Sequence, residues 1–160
     1  MSLDTIFGLP IHPLVVHAVV VLLPMACLGA IVIAARFSWR ERFGTLVLVV
    51  AVAASVAVPV ATQSGESLAG RVGEPERHIE LGEMLKFYVI PWLVLLIAML
   101  WFSRSSVAAR NYPTQRWFLA LRIAVILMSV ASIVGVVLAG HSGSQAVWTK
   151  IIENTTPNSR

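Results

Sequence analysis

The stretch LVVHAVVVLLPMACLGAIVIAA, residues 14–35, decides the fold, because it contains no Lys, Arg, Asp or Glu. A hydrocarbon layer about 30 Å thick is crossed by ~20 apolar residues in helix, so this run is long enough to span one. Pro13 precedes it, and a proline suits the first helical turn because its missing N–H has no intrahelical acceptor there. Pro24 falls inside, where a kink is expected. Three further runs have the same character: residues 44–61, rich in Val and Ala with Ser55 and Pro59; residues 84–102, with Pro91, Trp92 and Trp101; and residues 117–140, opened by Trp117. The tryptophans are read as interfacial markers, and Arg122, just inside the fourth run, as a side chain that snorkels outward. The fold class expected is all-α, one integral membrane four-helix bundle over residues 1–160.

Composition agrees. Of 160 residues 58% are hydrophobic and only 12% charged, whereas about a quarter are charged in ordinary soluble domains. A net charge of +4 and a pI near 10.0 invite a nucleic-acid reading, but the arginines flank apolar runs and form no basic stripe interleaved with stacking aromatics. No nucleic-acid partner is expected. The lone Cys27 lies in the first run and offers neither a disulfide nor a CxxC metal pair. The N-terminus lacks the charged region of a secretory signal, so the first run is taken as an uncleaved span.

The charges assign the two ends. Arg36, Arg40, Arg42, Arg104, Arg110, Arg116 and Arg122 with Glu41 place +6 on one face, and the remaining charged residues place −2 on the other. By the positive-inside rule the first face is cytoplasmic, which puts both termini outside, in a multi-pass protein of the bacterial inner membrane.

All four histidines, His12, His17, His78 and His141, then fall at the outer face. Ionisable groups at membrane depth are costly to desolvate and usually belong to a site. His12 and His17 are five residues apart, hence about 140° apart on a helix, and cannot share a face. His17 lies deeper in the apolar run and is expected to be the essential ligand. His12, at the mouth of the helix, is a cofactor-binding candidate as well, and an interfacial or helix-capping role suits it equally. His78 sits in R-H-I-E-L-G-E, where Glu80 or Glu83 is placed to accept from a ligating imidazole. His141 stands beside Gly140 and Gly143, which are expected to end the fourth helix. The expectation is that His17, His78 and His141 converge, with Glu66, Glu80 or Glu83 in hydrogen-bond reach. No internal repeat is discerned, and neither H-E-x-x-H nor a nucleophile motif around Thr62, Ser142 or Ser144 is present.

Two cofactor classes suit such a site. A b-type haem needs one or two imidazoles and cations for its propionates, which Arg71, Arg77 or Lys86 would supply. Copper or zinc needs three or four ligands, for which His17, His78, His141, Glu80 and Glu83 are candidates. The motifs G-L-P-I-H-P-L-V-V-H (8–17), T-Q-S-G-E (62–66), H-I-E-L-G-E (78–83) and G-H-S-G (140–143) resemble the bacterial four-span membrane proteins known as domain of unknown function 2231. The resemblance covers nearly the whole chain, although Ser144 and Gln145 stand where a second glycine is expected. The layout is similar to that of four-helix b-type cytochromes, and this analogy implies haem. With every His on one side, at most one haem is expected. The reading favoured is a redox carrier, with no catalytic motif of its own, that exchanges electrons with an extracytoplasmic redox protein. The alternatives are a copper- or zinc-binding protein and a cofactor-free structural or assembly subunit of a larger membrane complex.

Overall fold

A computed structural model of the protein describes residues 5–6, 9–72, 76–104 and 116–155. A two-residue antiparallel ladder, β1 (Thr5–Ile6) with β2 (Leu9–Pro10), pairs Thr5 with Pro10 and Ile6 with Leu9 and leads into the helices. Four helices follow: α1 (Ile11–Ala35), α2 (Phe37–Val72), α3 (Glu76–Arg104) and α4 (Arg116–Thr155). Each contains a stretch long and apolar enough to cross a membrane. Each packs on its neighbours in sequence and α1 closes the ring against α4, an up-down-up-down bundle with α1 and α3 on one diagonal.

The packing follows helical period. Val19, Leu23, Ala26, Ala30 and Ile33 of α1, Ala51, Ala54 and Val58 of α2, Leu85, Val89, Trp92, Leu96 and Met99 of α3, and Val125, Ser129, Ser132 and Val136 of α4 are buried at spacings of three and four. The opposite faces expose large apolar side chains, among them Val49, Phe87 and Leu127, as a lipid-facing surface requires. Small residues bring α1 and α2 close. A Cβ at Gly29 would stand 2.9 Å from a methyl of Val47, the close approach that drives helix association where lipid removes the hydrophobic incentive.

Several helix ends differ from the sequence expectation. Residues 63–72 continue α2, a stretch that holds no proline and tolerates Gly65 and Gly70, and α4 passes through Gly140 and Gly143 to Thr155. Trp92 is not interfacial. It is fully buried and its Nε1–H donates to Ser129 Oγ at 2.7 Å, whereas Trp101 and Trp117 are exposed. Arg122 turns toward the bundle end, where its Nε donates to the Ala34 carbonyl and an Nη to that of Ala35 at 3.1 Å. Arg40 is buried and donates to the carbonyls of Ile33 at 2.9 Å and Ala34 at 3.2 Å. Two guanidiniums thus satisfy the carbonyls that the C-terminus of α1 leaves over and complement its dipole.

Candidate functional site

At the other end, the first turns of α1 and α3 each project an imidazole into the bundle. His12 of α1 donates through Nδ1–H to the Ala61 carbonyl of α2 at 2.9 Å. His78 of α3 donates through Nδ1–H to the Ala139 carbonyl of α4 at 3.0 Å. A serine three residues beyond each carbonyl completes the contact. Ser64 Oγ lies 3.4 Å from His12 Nδ1 and donates to the Ala61 carbonyl at 3.1 Å. Ser142 Oγ lies 3.1 Å from His78 Nδ1 and donates to the Ala139 carbonyl at 2.8 Å. A glycine one residue further makes room for each ring. A Cβ at Gly65 would stand 2.8 Å from His12 Cε1, and one at Gly143 would stand 2.8 Å from His78 Cε1.

A carbonyl can only accept, so in the neutral ring Nδ1 carries the proton and Nε2 keeps its lone pair. That is the tautomer a metal-ligating imidazole needs, here fixed by backbone in place of the carboxylate expected from Glu80 or Glu83. The two rings are half-buried and their centroids lie 6.4 Å apart, with planes at 79°. A cavity of about 50 Å³ lies beside them, lined by His12, Ala61, Thr62, Gly65, Glu66, His78 and Ile79. A second, about 60 Å³ and almost wholly apolar, shares Ala61, Thr62 and His78 and is walled by residues of all four helices, including Val16, Gly82, Leu85 and Val136.

The expected trio of His17, His78 and His141 does not converge. His17 is exposed and its Nδ1–H donates to the Pro13 carbonyl of its own helix. His141 is exposed and lines neither cavity. Among the described residues no hydrogen bond joins Glu66, Glu80 or Glu83 to a histidine, and no three of His, Cys, Asp and Glu form a metal-binding group. Glu66 does line the cavity beside the rings. Arg77, beside His78, is exposed, and the Arg71 side chain lies outside the described residues.

Depth alone ranks His12 behind His17, whereas the helix face that each occupies separates them the other way. It lies seven residues before Val19, as His78 lies seven before Leu85, and seven residues is nearly two whole turns. Both imidazoles therefore continue the buried faces of their helices.

Fold and site define a multi-pass helical membrane protein with a pair of imidazoles at one end of its bundle. A family model described as a predicted membrane protein, DUF2231, matches residues 8–156, and the chain belongs to that family. No curated protein and no solved structure matches it.

Proposed function

We propose that the protein is an electron carrier that holds one b-type haem between His12 and His78 and exchanges electrons with a redox protein outside the cytoplasmic membrane. The observation that carries this reading is a neighbouring pair of imidazoles, each held by a backbone carbonyl, with no group of three metal-ligating side chains among the described residues. Zinc or copper(II) requires three or four ligands from the protein. Haem iron takes its equatorial nitrogens from the macrocycle and asks the protein for axial ligands alone.

The separation fits as well. With a metal–nitrogen bond of about 2 Å and Nε2 about 1 Å from its ring centre, one ion between two opposed imidazoles places their centroids about 6 Å apart. The centroids here are 6.4 Å apart with planes at 79°, a spacing that accommodates one ion once both Nε2 atoms turn toward it. The flanking cavities are small beside a macrocycle and must merge to admit one; the wall they share is formed by Ala61, Thr62 and the His78 ring itself, so the ring must move as they merge. Arg77 is the cation best placed by sequence to meet a propionate from the outer side. The outward direction rests on the arginine asymmetry.

Absorption spectra of the detergent-purified protein, oxidised and reduced, with a pyridine haemochromogen assay and metal analysis, test the reading. The expected result is one b-type haem per chain, absent from His12→Ala and His78→Ala. Stoichiometric copper or zinc without haem would reassign the pair to a bare ion. Neither would reject a resident cofactor and leave a structural subunit of a larger membrane complex.

A further inference from the structure

The two histidine environments share the same parts, and they differ in that Ser64 Oγ also reaches the Val60 carbonyl at 2.8 Å. In each, the first turn of an odd-numbered helix supplies the imidazole, the following helix supplies a carbonyl, a serine stands three residues beyond that carbonyl, and a glycine four beyond it. The sequence repeats accordingly: Ala61-Thr62-Gln63-Ser64-Gly65 and Ala139-Gly140-His141-Ser142-Gly143 share the pattern A-x-x-S-G. The preceding histidine is also seven residues ahead of the first deeply buried residue of its helix in both halves, Val19 and Leu85. We infer that the bundle is two copies of one helical hairpin about a pseudo-two-fold axis, and that A-x-x-S-G is the duplicated element that positions an imidazole as its Nδ1–H tautomer.

Each part of the element has a physical task. The carbonyl already accepts the helical N–H from the residue four further on, and its second lone pair takes the imidazole proton. The serine hydroxyl donates into its own helix, Ser142 to the Ala139 carbonyl and Ser64 to the Val60 or Ala61 carbonyl, and presents its oxygen to the same Nδ1–H, so the ring proton is held by two acceptors on one helical turn. Glycine at the fifth position is required by contact. At 2.8 Å a Cβ and the ring carbon cannot coexist, and because the ring ends a rotatable side chain, it is the ring that must swing away. Gly82 and Gly140, by contrast, have open space where a Cβ would be. The inference concerns the imidazoles themselves and holds whichever ligand they take, so it stands or falls apart from the haem reading.

The test is ¹⁵N NMR of the full-length protein, labelled at histidine and kept reduced in detergent micelles, with His12→Ala and His78→Ala used to assign the rings. The parent should show Nδ1–H signatures for His12 and His78. Gly65→Ala should abolish that signature at His12 and leave His78 unchanged, Gly143→Ala should do the reverse, and Gly82→Ala and Gly140→Ala should change neither. Ser64→Ala and Ser142→Ala should each shift the signature of their own histidine only. Nε2–H tautomers in the parent, or a Gly65→Ala protein whose His12 signal is unmoved, would overturn the assignment whether or not haem is present.

Discussion

The two ends of the bundle use the same bond in different ways. At the arginine end, Arg40 and Arg122 donate to the carbonyls of Ile33, Ala34 and Ala35, which α1 leaves without helical partners as it stops. At the histidine end, His12 and His78 donate to Ala61 and Ala139, which lie well inside α2 and α4. The arginine bonds close an account that the helix itself leaves open, and permanently charged guanidiniums with donors only have no further chemistry to offer. The imidazole bonds satisfy nothing the helix lacks. They orient a ring and leave a lone pair on its other nitrogen, beside a cavity. Donation to a helix terminus therefore reads as architecture, whereas donation to a helix interior by a group that can also accept reads as preparation for a ligand.

The largest expected effect lies at the histidine end and is all-or-none. His12→Ala and His78→Ala should each remove the absorbance of the bound cofactor while the protein remains folded, as judged by circular dichroism. His17→Ala and His141→Ala should retain it, since neither ring reaches the cavity beside the other two. Retention in His78→Ala would break the comparison, because the oriented imidazole would then be as structural as the guanidiniums.

How much of this was legible in sequence divides along physical lines. Four spans and the placement of arginines at one end were legible because the cost of burying charge in hydrocarbon is large and local. Which imidazole faces inward was not, because α1 is apolar all round and amphipathic pattern cannot mark its inner face. Depth then stood in for direction and favoured His17 over His12. Gly143 was read as a helix stop since glycine commonly ends helices; its contact with His78, sixty-five residues away in sequence, is made only by the folded bundle. Trp92 misled for a similar reason, because an indole is at home at an interface and also in a core where its N–H finds an acceptor such as Ser129.

A smaller effect is expected at the arginine end. Arg40 is 3% exposed, donates to two carbonyls and lies over the rings of Phe37 and Phe118 at 5.8 and 5.2 Å. Arg40→Ala should cost about 3 kcal/mol, since hydrogen bonds to charged groups are lost and the carbonyls stay buried. Arg122, less buried and closer to solvent, should cost about half of that in Arg122→Ala. Denaturant titration in mixed micelles measures both. Spectra of any bound cofactor should be unchanged at temperatures where the variants are folded, which sharpens the separation of the two ends; a cofactor lost with Arg40 alone would show that they are coupled.

The smallest effect concerns the polar groups between the ends, where neither logic applies. Ser129 and Ser132 of α4 are both fully buried and one helical turn apart. Ser129 accepts from Trp92 at 2.7 Å and donates to the Val125 carbonyl at 2.7 Å. Among the described residues Ser132 Oγ has no hydrogen-bond partner, and the same is true of Ser55 Oγ on α2. Removing a satisfied hydroxyl strands its partner, so Ser129→Ala should destabilise by about 1 kcal/mol as the indole N–H loses its acceptor. Removing an unsatisfied one relieves a desolvation cost, so Ser132→Ala should stabilise by a comparable or smaller amount, about 0.5–1 kcal/mol. Opposite signs from two alanines three residues apart would show that the core below the histidines is dry and that the ligand-ready region ends at the cavity floor. If Ser132→Ala instead costs stability, its hydroxyl is held by a partner that is not protein, and the polar region that begins at His12 and His78 extends a full turn below Val136 into the middle of the bundle.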